Sequence, residues 1–125
     1  MNKRVVAIRG ATCCDNTKEE ITHYVCQMMN DIISKNELMA EDIISIQFSI
    51  TKEITVLNPA TALRTGDINI DVSEIPLFCT QEAQIDGGIE YVVRVLVTTY
   101  MNEFKKRTNV YINGAERLRP DFAKK

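Results

Sequence analysis

The sequence has 125 residues, 45% of them apolar and 26% charged, the balance of a chain that buries one ordinary core and is not disordered. Fifteen Lys plus Arg against seventeen Asp plus Glu leave a net charge of -2, and the longest basic run is Lys105-Lys106-Arg107. That excludes the electrostatic footprint of a nucleic-acid binder. The longest apolar run, residues 91–97, is broken by Arg94 and is far too short to span a bilayer, and the start of the chain lacks the apolar stretch of a signal peptide. The expectation is therefore one domain over residues 1–125, in the cytoplasm, with neither membrane nor nucleic acid as partner.

Residues 4–8 are short and β-branched and run into Gly10-Ala11-Thr12, which predicts a first strand with Arg9 at its C-terminal end. Thr17 followed by Glu20 makes a capping-box pattern. After it, Ile21, Val25, Met28, Met29, Ile32 and Ile33 recur on one face of a helix of about five turns that stops near Asn36. Residues 43–51 alternate, with Ile44, Ile46, Phe48 and Ile50 on one face and Ser45, Gln47 and Ser49 on the other, a strand with one wet or partner-facing side. Asn58-Pro59 places an N-cap before a proline, so a short helix is expected over residues 59–64, ending before Gly66 and leaving Arg64 in its last turn.

Residues 75–80 form a third strand candidate, and Asp86-Gly87-Gly88 punctuates the chain after it. Residues 89–100 are rich in Val and Thr, which favours strand over helix and puts Arg94 on the face of Val92 and Leu96. A last short strand over residues 110–112 precedes the turn signal Asn113-Gly114. The order is that of an α+β fold with one long helix on one side of a mixed sheet. One helix covers one face only, so the other face is expected to meet a partner subunit in a closed oligomer.

The chemical inventory is narrow. Cysteines stand at 13, 14, 26 and 79 without a Cys-x-x-Cys pair, and His23 is the single histidine, which excludes the usual zinc frameworks and triads built on a histidine base. Cys79 has no base in view and reads as a small strand residue; Cys13-Cys14 reads as a pair of reduced thiols, and His23 as a surface or edge residue. Asp86-Gly87-Gly88 is too short for a phosphate loop and lacks the Lys-Ser/Thr that would follow.

What remains is the placing of arginines. Arg9, Arg64 and Arg119 each read singly as a solvated charge or a salt bridge. Arg94, among Val92, Val93, Val95 and Leu96, needs an anion, and Glu82 beyond the Asp86-Gly87-Gly88 turn is a candidate. Convergence of several arginines would select a small molecule carrying carboxylates or phosphates.

Ile8-Arg9-Gly10-Ala11-Thr12, Cys79-Thr80-Gln81-Glu82, Gly87-Gly88 followed by Arg94-Val95, and Tyr111 followed by Leu118-Arg119-Pro120-Asp121 resemble the trimeric chorismate mutases of the α/β-barrel-like class, in order and spacing over nearly the whole chain. The resemblance implies a five-stranded mixed sheet with one long helix and a short helix, three subunits forming a pseudo-barrel, and active sites in the clefts between them. It implies an isomerase of aromatic amino acid biosynthesis in the shikimate pathway, converting chorismate to prephenate. That Claisen rearrangement requires no nucleophile, proton transfer, metal or cofactor.

By the same resemblance, Arg94 contacts the ether oxygen and a carboxylate, Glu82 binds the ring hydroxyl, Arg9 binds a carboxylate, and Tyr111 donates to the side-chain carboxylate. Phe78 and Cys79 line the substrate pocket, while Arg64, Leu118 and Arg119 form its rim, with Arg64 and the segment around Ala60 supplied by a neighbouring subunit. The chain departs from the family at Thr61, where a lysine is common, at Asn58, where an aromatic residue often stands, at Phe78, where a smaller residue is usual, and in a longer segment over residues 65–73. Two other readings stand beside the mutase: an imine or enamine hydrolase of a related trimeric fold, and a non-catalytic trimer that binds a small anionic metabolite. The Cys-x-x-Glu spacing before Gly-Gly favours the mutase.

Overall fold

A computed structural model describes residues 2–123. Strands β1 (Lys3–Cys13), β2 (Ile43–Ile50), β3 (Leu77–Gln81), β4 (Val92–Asn102) and β5 (Val110–Ile112) form one mixed sheet in the order β3-β2-β4-β1-β5. β4 is central and antiparallel to both β1 and β2, while the outer strands β5 and β3 run parallel to β1 and β2. Helices α1 (Lys18–Asn36) and α2 (Pro59–Thr65) begin where the sequence predicts. Thr17 Oγ1 accepts from the Glu20 N–H at 3.1 Å, and Asn58 Oδ1 accepts from the Ala60 N–H at 2.8 Å with Pro59 in the first helical turn. Single 3-10 turns at Ala40–Asp42 and Ala115–Leu118 and a four-residue helix α3 (Pro120–Ala123) complete the described elements.

Both longer helices pack on one face of the sheet. Ile21, Val25, Met28, Met29 and Ile32 of α1, with Ala62 and Leu63 of α2, close over Val6 and Ile8 of β1, Ile46 and Phe48 of β2, and Val93, Val95 and Val97 of β4. Side chains alternate along a strand, so Arg9, Gln47, Ser49, Phe78, Thr80, Arg94, Leu96 and Tyr100 fall on the opposite face. Among the described residues that face is roofed toward its β1–β5 end, where Ala115 packs on Ala11 and Val92, with Ile89, Tyr111 and Leu118 against them. Elsewhere it leaves Val5, Phe78, Leu96 and Tyr100 exposed.

The structure corrects several boundaries. β1 does not stop at Gly10 but runs on to Cys13, so Arg9 lies inside the strand opposite Leu96 rather than at its end. Gly10 is a point of close approach instead of a break: a Cβ there would stand 2.9 Å from Ile32 Cδ1, 3.0 Å from Val95 Cγ1 and 3.1 Å from the Val110 carbonyl oxygen. In β2 the step from Ile43 opposite Thr99 to Ser45 opposite Thr98 is a bulge, which throws Ile44 outward and gives its expected core place to Ile43. β3 begins at Leu77 rather than at residue 75, because Ile75 donates its N–H back to the Val72 carbonyl in a turn and Pro76 has no N–H to give. β4 begins at Val92 rather than at residue 89, after Tyr91 in the left-handed region at φ 58°.

The crowding at Gly10 yields a direct test. Gly10→Ala forces either α1 or the β5 backbone to shift and is expected to cost about 1–3 kcal/mol, the range for overpacking a filled core. Urea unfolding midpoints at a fixed chain concentration measure it, and an unchanged midpoint refutes the close approach.

Candidate active site

The uncovered face acquires its charge through strand register. Antiparallel pairing sets Arg94 of β4 opposite Ser49 of β2 on one side and Ala11 of β1 on the other. Glu82 follows the last residue of β3, and its N–H donates to the Ile50 carbonyl at 2.8 Å, extending the β2–β3 ladder by one step. Its carboxylate thereby reaches back over β2. Arg94 Nε donates to Glu82 Oε1 at 2.7 Å, and the Ser49 hydroxyl donates to the same oxygen at 2.9 Å. Glu82 is therefore the anion that Arg94 requires, although the Arg94 side chain remains 39% exposed because its face of the sheet is open. Among the described residues, neither the terminal amino groups of Arg94 nor Glu82 Oε2 makes a further hydrogen bond.

Beside this pair lies a cleft of about 390 Å³ whose walls include Arg9, Ser49, Arg94, Tyr111, Leu118 and Arg119. A smaller depression of about 250 Å³ under the loop of residues 83–90 is lined by Glu82 and shares Arg94 with the cleft. The loop is anchored at its far end, where Glu53 Oε1 accepts from the Tyr91 N–H at 2.9 Å; that bond holds the Glu53 carboxyl below its ordinary pKa. Leu118 and Arg119 reach the cleft because the Ala115–Leu118 turn folds back over β1 and β5. Arg119 forks onto Asp121, Nε to Oδ1 at 3.1 Å and Nη2 to Oδ2 at 2.8 Å, and these bonds raise its pKa further. Arginines with a tyrosine around a cleft of this size, one of them held by a carboxylate from the adjoining depression, suit a small polyanion, since guanidinium forks match carboxylates.

Other residues predicted for the site lie elsewhere in the chain. Cys79 is opposite Phe48 in register and packs toward the helix-covered core, and burial pushes its thiol above the ordinary value. Phe78 points out of the open face, 61% exposed, and is not among the cleft's walls. Arg64 is on α2, where its Nη2 donates to Thr61 Oγ1 at 3.3 Å.

Cys14 and Cys26 are buried in the core region, and the Cys14 thiol is pushed up to about 12, chiefly by desolvation. His23 packs edge-on against Tyr24 on α1. Among the described residues no group of three or more His, Cys, Asp or Glu side chains is arranged to hold a metal ion. Ser49 was visible in the sequence only as one of the polar residues alternating along β2. Its contact with Glu82 joins positions 33 residues apart, which no local pattern records.

The family chorismate mutase type I matches this chain over residues 5–122. The chain is 30% identical over 118 residues to chorismate mutase AroH of Bacillus subtilis (strain 168), covering 93% of this chain and 91% of that protein. Among solved structures it is similar to a chorismate mutase from Clostridium thermocellum, with a TM-score of 0.77 and 35% identity, over 90% of this chain and 98% of the other.

The raised Cys79 pKa has a measurable consequence. The thiolate is the reactive form, so in the native protein at pH 7.5 Cys79 is expected to alkylate with iodoacetamide more slowly than free glutathione, and faster as pH rises. Mass spectrometry of the labelled chain reads this, and a rate at pH 7.5 equal to that of glutathione contradicts the placement of Cys79 against the core.

Proposed function

Because the chain belongs to the chorismate mutase type I family, we propose that the cleft beside Arg94 is where its reaction takes place and that Arg94, Glu82 and Arg9 carry it. The protein is a chorismate mutase, an isomerase. In the rearrangement of chorismate to prephenate the ether C–O bond breaks as a C–C bond forms within one ring of six reacting atoms. The enzyme supplies no bonding partner. Its contribution is to hold the enolpyruvyl side chain over the ring and to meet the negative charge that gathers on the ether oxygen with donors already in place.

Arg94 suits that second task because its Nε edge is taken by Glu82 while its terminal amino groups are left for a ligand. In this reading those groups donate to the ether oxygen and to one carboxylate. Glu82 Oε2 accepts the ring hydroxyl, Arg9 binds a carboxylate, the Tyr111 phenol donates to the side-chain carboxylate, and Leu118 with Arg119 closes the rim. The single observation that carries the reading is this division of labour at Arg94, one edge tied to protein and the other presented to the cleft.

The proposal extends to a homotrimer. Helices cover one face of the sheet, and the other exposes Val5, Phe78, Leu96 and Tyr100, which favours burial against further copies of the chain. Arg64, Phe78 and Cys79 belong to α2 and β3, which contact each other on one flank of the molecule. In the trimer Arg64 and Phe78, with the segment around Ala60, line a neighbour's cleft rather than their own, while Cys79 stays packed toward its own core. Among the described residues no helix is long and apolar enough to cross a membrane, and a cytoplasmic site of action is part of the same proposal.

Arg94→Ala is expected to lower kcat at least ~100-fold, the effect of removing one preorganised donor from a developing oxyanion, followed as loss of chorismate absorbance. A folded variant with near-normal kcat removes Arg94 from this role. Native mass spectrometry of the active protein is expected to give three chains, and full activity in a species of one chain overturns the shared-cleft arrangement.

A further inference from the structure

Two donors converge on one carboxylate oxygen at the centre of the site. Arg94 Nε reaches Glu82 Oε1 at 2.7 Å, and the Ser49 hydroxyl reaches the same atom at 2.9 Å. We infer that Ser49 is a positioning residue for the rearrangement, acting through Glu82 to set the plane in which Arg94 presents its terminal amino groups. This rests on the proposed roles of Arg94 and Glu82.

A lone Nε–carboxylate contact leaves the carboxylate able to swing about its side-chain torsions, and the guanidinium swings with it. Glu82 has long side-chain freedom and is anchored locally only by its backbone N–H on Ile50. A second donor from a different strand removes that freedom. Ser49 is suited to the task because it stands opposite Arg94 in the β2–β4 register and beside Thr80 in the β2–β3 register, directly under the arc that Glu82 spans.

Its short side chain carries a hydroxyl with one torsion to fix, so little entropy is lost in ordering it. The arrangement also divides the carboxylate: Oε1 takes both protein donors, and Oε2 remains for the ligand. Without Ser49, Oε2 could rotate onto Arg94 and the ligand-facing acceptor would be lost along with the guanidinium plane.

Ser49→Ala is expected to lower kcat roughly 10-fold, the size of one hydrogen bond to a charged group, with a much smaller change in KM. Ser49→Thr keeps the hydroxyl and is expected to restore most of kcat, whereas Ser49→Val, of the same shape without the hydroxyl, is expected to match Ser49→Ala. This Thr/Val pair keeps the test decisive if the alanine variant folds poorly. In a Glu82→Ala background the substitution at Ser49 is expected to have no further effect on kcat, because the residue it acts through is gone.

An unchanged kcat in Ser49→Val, or a loss of equal size in the Glu82→Ala background, overturns the inference. Both outcomes leave the proposed site standing if Arg94→Ala still abolishes turnover. Near-normal turnover in Arg94→Ala overturns the site itself.

Discussion

The contact between Arg94 Nε and Glu82 Oε1 spans the width of one strand, since Arg94 belongs to β4 and Glu82 follows β3, with β2 between them. A guanidinium is planar and rigid, so fixing one nitrogen in a firm hydrogen bond restricts where the others point. Much of the surrounding architecture serves that restriction. The β2–β4 register sets Ser49 next to the pair, the Glu82 N–H bond to Ile50 holds the carboxylate at the end of the ladder, and the turn after β5 carries Leu118 and Arg119 to the far wall. The positive charge that Arg94 brings to the cleft wall is thus set by hydrogen bonds made before any ligand arrives, which in the proposed role spares reorganisation during reaction.

A sheet covered on one side only is the second determinant. Alternation sends Val93, Val95 and Val97 into the helix-covered core and Arg94 and Leu96 to the opposite face, so the core and the proposed chemistry lie on opposite sides of the same strand. A chain of this size gains a core from one layer of helices and leaves the other sheet face for ligand and, in the proposed trimer, for its own copies. The scarcity of nucleophile-and-base pairs fits the family's reaction, which is unimolecular and pericyclic and draws on orientation and charge.

Residues expected to set this chain apart from the family have local roles in α2 and the segment after it. Asn58 caps α2 through its side-chain oxygen, and Thr61 accepts from Arg64 across one turn of the same helix. Both are occupied in shaping α2 and holding its arginine. The segment after α2 is pinned by Asn30, whose side chain bonds the Asp67 carbonyl and the Asn69 N–H, while Val72 and Ile75 sink into the core. This segment belongs to the helix-side layer and is not among the cleft's walls.

Local signals decided much by themselves. The caps at Thr17 and Asn58, the helical spacing from Ile21 to Ile33 and the Val- and Thr-rich run of β4 depend on neighbours a few residues away, and each is present where the sequence puts it, apart from the later start of β4 at Val92. The charge of Arg94 in an apolar strand likewise demanded an anion, and Glu82 supplies it.

What no local pattern could decide was pairing. Gly10 looks like a break until the packing of Ile32 and Val110 around it is known, Ile44 looks like a core residue until the bulge turns it outward, and Cys79 shares a motif with Glu82 while its side chain packs with Phe48 toward the opposite face. Register and side of sheet come from contacts between residues far apart in the chain, and a shift of one position moves a side chain from one face to the other. The residue types of the site were therefore written in the sequence, whereas the convergence of Ser49 and Arg94 on one oxygen of Glu82 arose only when three strands were laid side by side.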